Sequence, residues 1–323
     1  HRKLTLNQIR DLLAIEEVDN YKSLPEGQTG NIGNAKHSIA KNFMVVTADQ
    51  RATISAKRIL EAGGTALDAA ISAQMVLNLV EPQSSGIGGG AFILYYDAKT
   101  NNIYAWDGRE KAPMSFSEDV FLNSNGKKKG FIEAVSGGLA VGVPALISML
   151  EKAHNLHGNM PWNKLFEDAI TLSTEGFIVG KRLSKLTSRA PHLKNQKIAR
   201  EYFNIDGGGL KVGDLKKNVK FAESLRLIRD NGSKSILNGK LADSILSTVT
   251  GHIENPGIMV KKDFSFVNPL HKKPVCGSYR KWKICGMGPP SSGGITVLQI
   301  LGILNNFDLS SENAQDPYVW HLF

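Results

Sequence analysis

The residue type best suited to holding a ligand in this sequence is Arg109, within Asp107-Gly108-Arg109-Glu110-Lys111-Ala112-Pro113. It follows directly on a predicted β-hairpin, where a loop presents a side chain to a cleft. A guanidinium grips a carboxylate through two parallel hydrogen bonds and so fixes its orientation, which lysine does not reproduce. Taken alone, an arginine is more often a surface residue or an ion-pair partner, and the neighbouring Glu110 is a candidate partner. The second constellation is Ser84-Ser85-Gly86-Ile87-Gly88-Gly89-Gly90. As a string, Gly86-x-Gly88-x-x-Ala91 meets the dinucleotide fingerprint, whose mechanism requires a strand before the glycines and a helix after them. Here a helical pattern precedes and a strand pattern follows, so dinucleotide binding is excluded. Two readings of these glycines stay open: a tight structural connection, or a pocket wall made of backbone.

Ser291-Ser292-Gly293-Gly294 precedes a helical pattern and has the donors of an anion-binding helix N-terminus, or of a plain N-cap after a proline turn. No serine sits in G-x-S-x-G, so the strand-to-helix nucleophile elbow is absent. A nucleophile at a chain start must be Thr, Ser or Cys, with its own amine as base; His1 is none of these. Two cysteines and eight histidines show no metal-ligand spacing. On residue chemistry the chain reads as part of an active site without its reactive centre.

The net charge of +9 raises the question of an anionic partner. Thirty acidic residues are interspersed, however, and the sharpest basic run is Lys127–Lys129. With no aromatic–basic interleaving, this reads as a solvated basic surface and not as a nucleic-acid site. The longest apolar run, Gly137–Leu150, contains glycines and a proline and falls short of the ~18–20 residues of a membrane span. The sequence opens without a charged-then-apolar leader, and the expectation is that any signal peptide has been removed.

The elements that must position these residues follow from periodicity. Residues 1–42 are polar and irregular, an expected N-terminal arm. Met44–Ala48 reads as a short buried strand. A helix with Ile54, Ile59 and Leu60 on one face ends at Gly63–Gly64, and Thr65-x-x-Asp68 caps the next, alanine-rich helix, which Pro82 stops. Ala91–Asp97 and Ile103–Trp106 form the hairpin before Arg109. Helical spacing then dominates at Ala145–His154, Trp162–Glu175 and Phe221–Asp230, and the segment 181–270 is a candidate helical lobe. A second hairpin, Val275–Tyr279 with Trp282–Cys285 about a turn at Arg280–Lys281, sets Cys276 opposite Cys285. Directly opposed strand residues lie ~4.5–5.5 Å apart, within disulfide reach. Either a cross-strand disulfide or two reduced thiols fits that placement. A helix over Ile295–Leu304 and the start of another near Pro317 close the sequence.

Taken in order, Met44-Val45-Val46, the run Ile59–Ala70, Glu81-Pro82-Gln83, Gly86–Phe92, Asp107–Pro113, Met160-Pro161-Trp162, Glu175-Gly176-Phe177, Tyr279-Arg280 and Pro289–Ile295 resemble the γ-glutamyltransferase (γ-glutamyltranspeptidase) family. Gly288 departs from that family's triple-proline run. The resemblance implies an α+β N-terminal-nucleophile hydrolase fold, a four-layer αββα sandwich. Residues 43–323 would be the large-subunit part of a single domain completed by a small subunit of the same processed precursor. It further implies that the nucleophilic threonine and the oxyanion hole lie on that partner, leaving no catalytic residue in this chain. Arg109 would bind the α-carboxylate of a γ-glutamyl donor such as glutathione, without metal or organic cofactor, in a periplasmic or secreted enzyme. The alternatives on the same scaffold are a cephalosporin-type or polyglutamate-processing acylase and a non-catalytic binding homologue.

Overall fold

The structure is a computed structural model, and the residues it describes are 39–310, 312–313 and 316–323. The expected N-terminal arm therefore lies almost wholly outside the described residues. The described residues divide into two compact units, one built from Ile93–Ala105 with His271–Phe323, the other from residues 39–92 with Trp106–Leu270.

The larger unit is mainly helical and is organised around a pair of helices, α1 (Gln50–Glu61) and α2 (Ala66–Val80). Asp49 caps α1 by accepting from Arg51 N, and Gly63, at φ +87°, turns the chain after it as the sequence predicts. Thr65 and Asp68 form the predicted capping box of α2. Eleven of the fifteen α2 residues are buried, which is the pattern of a helix enclosed on nearly every side. Its small residues allow this: Ala69 and Ala73 bring α1 close, and a Ser55–Ser72 hydroxyl pair at 2.7 Å bridges the two helices.

Around α2 pack α4 (Leu146–His157), a 3₁₀ turn (Trp162–Phe166) and α5 (Glu167–Glu175), with the short α3 (Phe131–Val135) lying before α4. Leu67, Ile71, Met75, Leu146, Met149 and Phe166 are among the fully buried side chains of this core. The predicted continuous helix over Trp162–Glu175 is thus two pieces, a 3₁₀ turn running into an α-helix. A two-residue pair, β3 (Phe177–Ile178) with β4 (Leu215–Lys216), brackets α6 (Lys181–Thr187) and α7 (Lys197–Tyr202). Then follow α8 (Val219–Asn231), α9 (Lys234–Leu237) and α10 (Lys240–Thr250). A second apolar cluster of Val143, Val249, Met259 and Phe264 joins α10 to a 3₁₀ strap at Lys261–Phe266.

The smaller unit carries most of the β-structure. Strands β1 (Ala91–Asp97), β2 (Asn102–Gly108) and β5 (Leu270–Lys272) form a sheet in the order β1-β2-β5. The second hairpin is β6 (Val275–Tyr279) with β7 (Trp282–Gly286), antiparallel, with Cys276 opposite Cys285. The two are joined by a disulfide at a Cα–Cα distance of 4.1 Å, which decides between the two readings left open by the sequence. Arg280, in the turn, takes φ +55°, a conformation tight two-residue hairpins require. Helix α11 (Gly293–Leu304) packs on this hairpin, and α12 (Pro317–Leu322) begins on Pro317 as expected.

One predicted element is absent. Met44–Ala48 forms no strand with any described residue, and Met44 and Val46 are exposed. The apolar run gave it strand character, but a strand needs a hydrogen-bonded neighbour, and sequence pattern does not supply one. Among the described residues, no helix is long and apolar enough to cross a membrane.

The fully buried Asp68 carboxylate links three segments. Its Oδ2 accepts from Thr65 N at 2.8 Å, Asn159 N at 2.9 Å and Met160 N at 3.1 Å, and His154 Nε2 lies 3.4 Å from Oδ1. Asp68→Ala leaves those amides unpaired in the interior and is expected to lower stability on the order of 3–5 kcal/mol. Asp68→Asn, which keeps an acceptor, should lose less; equal losses in urea titration would argue against the amide contacts as the cause. Removing the Cys276–Cys285 bridge by double serine substitution is expected to cost about 2–3 kcal/mol through freed loop entropy, read as a lower melting temperature that added reductant no longer shifts.

Candidate functional site

Strand β2 ends at Gly108 because that position touches α4: a Cβ there would lie 2.5 Å from Met149 Cβ. Arg109 is the next residue, so its place is set by helix packing one residue before it. Its amide donates to Asp107 Oδ1 at 3.0 Å, an Asx-type turn that lifts the side chain off the strand direction. Lys111 returns to order through an isolated antiparallel bridge to Val143, with Val143 N donating to Lys111 O at 2.9 Å.

The glycine loop closes against this segment. A Cβ on Gly90 would sit 2.4 Å from Gly108 O and 2.9 Å from Glu110 N, and one on Gly142 would sit 2.7 Å from Glu110 Cβ. No other residue type fits these two places without moving backbone. Gly89 O accepts from Ala145 N at 3.1 Å and Leu146 N at 3.0 Å, tying the loop to the first turn of α4. The base of the loop is held by Glu81, which is buried and paired with Arg182 at 2.8 Å and also accepts from Gln83. Burial pushes the Glu81 carboxyl above its ordinary range, against the pull of the Arg182 guanidinium. Ser85 and Gln74 add hydrogen bonds to the Asn78 side chain.

The result is an open cleft of about 480 Å³ lined by Gly88, Arg109, Lys111, Phe116 and residues 139–142. A much smaller recess of about 60 Å³ shares Arg109 and Lys111 and adds Met114, Asp263, Phe266 and Leu270. Arg109 thus stands where two hollows meet. Its side chain is 57% exposed, with Nε 3.6 Å from Glu110 Oε2 and the guanidinium carbon 6.0 Å from the Phe92 ring centre. At 3.6 Å the Glu110 contact is an ion pair and not a hydrogen bond. Among the described residues the guanidinium donates no hydrogen bond, so its fork is available to an anionic ligand.

Both sequence readings of the glycine loop therefore hold at once: it is a close-packed connection, and Gly88 lines the cleft. Ser291–Gly294 lies in the other unit. There Ser292 caps α11 without a side-chain hydrogen bond, and a Cβ on Gly294 would meet Met287 O at 2.4 Å. That is close packing of α11 on the end of β7, and it favours the plain structural reading. Sequence reasoning missed the cleft walls from 139–142 and the strap at Lys261–Phe266. Asp263 brings the strap in, accepting from Met114 N at 3.0 Å and Val260 N at 2.8 Å. An acidic residue three positions after a helix start was the only available signal.

The family profile described as gamma-glutamyltranspeptidase matches residues 52–323. The glutathione hydrolase proenzyme of Bacillus subtilis (strain 168) is 37% identical over 277 residues, 86% of this chain and 47% of the relative. The Escherichia coli (strain K12) glutathione hydrolase proenzyme is 35% identical over 272 residues, covering 84% and 46%. The chain spans about half the length of the curated relatives it matches. The crystal structure of Helicobacter pylori gamma-glutamyltranspeptidase superposes with a TM-score of 0.83 at 30% identity, covering 89% of this chain and 81% of that one. The fold is accordingly the N-terminal-nucleophile hydrolase fold that the sequence resemblance implies. From profile, identity and superposition together, the chain belongs to the gamma-glutamyltranspeptidase family.

Proposed function

We propose that this chain is the large subunit of an enzyme that cleaves γ-glutamyl amide bonds, with Arg109 binding the α-carboxylate of the donor. The observation that carries this reading is the Arg109 guanidinium, exposed at the junction of two hollows and free of hydrogen bonds to the described residues. In this reading a threonine at the start of a small subunit attacks the γ-carbonyl of the donor. The C–N bond breaks, the amine leaves with a proton, and a γ-glutamyl ester remains on the threonine oxygen. Water or the amine of an amino acid or peptide then attacks that ester and regenerates the hydroxyl. Clamping the α-carboxylate fixes the distance from that end of the donor to the scissile carbonyl, which is an orientational contribution to the rate.

Two observations support a second polypeptide. The chain spans about half the length of its Bacillus subtilis and Escherichia coli relatives, each named a proenzyme. Wide apolar surface is also open: in α11 only Leu304 is buried, while Val297 and Ile303 are 47% and 62% exposed. Met44, Val46, Leu94 and Tyr96 are exposed as well. Apolar side chains left open in this number mark an interface, and the small subunit of the same precursor is the proposed occupant. The Cys276–Cys285 disulfide supports an oxidising compartment, the periplasm or the exterior of the cell.

With the purified two-chain protein and a chromogenic γ-glutamyl anilide, Arg109→Ala is expected to lower kcat/KM roughly 10–100-fold, the loss of a charged hydrogen bond worth about 1.5–3 kcal/mol. Arg109→Lys should recover only part of it, and unchanged activity in Arg109→Ala would remove that residue from the site. Gly90→Ala tests the support: its Cβ meets the Gly108 carbonyl, so kcat/KM should fall, whereas Gly86→Ala, with open space around it, should keep wild-type rates. Similar rates in the two glycine variants would show that the loop does not position Arg109.

A further inference from the structure

The net charge of this protein is not spread over it. Residues 181–220 hold eleven Lys and Arg against three Asp and Glu, a net +8, which leaves +1 for the whole of the remaining chain. Acidic residues, interspersed over the full length, are scarce in this segment. No run longer than the pairs Lys181-Arg182 and Lys216-Lys217 advertises it, because the other charges are spaced along the segment and not set in a block.

The structure turns that linear excess into a surface. The segment folds back on itself: Val179 N donates to Asp214 O at 2.9 Å, Gly213 N to Val179 O at 3.0 Å, and Leu210 N to Thr187 Oγ1 at 3.0 Å. A Cβ on Gly209 would sit 2.5 Å from Ser188 N, so the 204–210 turn lies directly on the end of α6. Leu183, Ile205 and Leu210 fill the inside. Lys181, Lys185, Arg189, Lys194 and Lys197 are all exposed, and none forms an ion pair with any described residue. Two of the three arginines are committed elsewhere, Arg182 to Glu81 and Arg200 to Asp206. Set among the lysines are exposed aliphatic side chains: Ile198 at 68%, Val212 at 58%, Leu215 at 60% and Val219 at 49%.

We propose that this lobe is a peripheral docking surface for an anionic lipid bilayer. Unpaired lysines carried on one lobe attract a negative surface and lose little by remaining hydrated at it. The aliphatic tips between them suit the boundary between headgroups and acyl chains. A buried protein–protein contact is the weaker explanation, since lysine is depleted where proteins bury surface against each other. Nucleic acid is also the weaker fit. Base and phosphate readout favours free arginine forks and stacking aromatics; here the free cations are mostly lysines, and the Tyr202 ring is covered by Lys216 Nζ at 4.1 Å. The proposal does not depend on the reaction assigned above.

The test is co-sedimentation of the full protein with vesicles of phosphatidylglycerol and phosphatidylcholine, against pure phosphatidylcholine. Binding is expected only to the anionic vesicles and should weaken as salt rises. The combined substitution Lys181→Gln, Lys185→Gln, Lys194→Gln and Lys197→Gln should reduce partitioning by at least about tenfold, with melting temperature and γ-glutamyl hydrolysis in solution unchanged. Lys127→Gln with Lys128→Gln, equally exposed but outside the lobe, should leave partitioning as it was. Val212→Ser with Leu215→Ser should weaken vesicle binding without altering retention on an immobilised polyanion. No binding to anionic vesicles at low salt, full binding by the quadruple variant, or tighter binding to duplex DNA at the same salt would overturn the proposal.

Discussion

The rest of the site depends on one contact between backbones, that of the glycine turn at Gly89–Gly90 with the Gly108–Glu110 segment. Gly90 is so close to the Gly108 carbonyl that a single methyl group would not fit. The same turn offers the Gly89 carbonyl to the first amides of α4, which a helix start leaves without partners. One short loop therefore fixes the end of a strand, the start of a helix and the residue that follows the strand. Arg109 needs few contacts of its own because the backbone that carries it is already held from two directions. Its guanidinium can stay available to a ligand for that reason.

Behind that contact stands an almost fully enclosed helix. Because α2 is buried on nearly every side, its ends have to be satisfied by protein and not by water. Asp68 does this at the N-terminal end, serving at once as capping partner for Thr65 and acceptor for the Asn159 and Met160 amides that follow α4. At the other end, Glu81 and its pairing with Arg182 hold the chain as it leaves the helix for the glycine turn. The two carboxylates thus secure α2 and, through α4 and the loop, the ground on which Arg109 stands.

Charge is distributed by a different logic. Carboxylates that organise the interior are each matched to several donors, whereas Lys181, Lys185, Lys194 and Lys197 of the 181–220 lobe form no ion pair with any described residue and are exposed. In the smaller unit the covalent bridge between β6 and β7 takes the place of a large core, beside a helix whose apolar face is largely open. Interior order, an unpaired cationic lobe and open apolar surface occupy different stretches of one chain.

Local chemistry was enough to read much of this from sequence. The Thr65–Asp68 cap, the Gly63 terminus, the hairpin before Arg109 and the register that opposes Cys276 to Cys285 each arise from interactions a few residues apart, where residue type and spacing fix geometry. The position of Arg109 was legible because it directly follows such a hairpin. What the sequence left open was decided by partners distant along the chain. Whether the cysteines bond depended on the hairpin forming; whether the glycines were packing or pocket depended on Gly108, Gly142 and α4; and the strap carrying Asp263 reaches the cleft from some 150 residues away. Met44–Ala48 shows the converse. Its pattern suits a strand, but pairing is a property of two segments, and the described chain supplies only one.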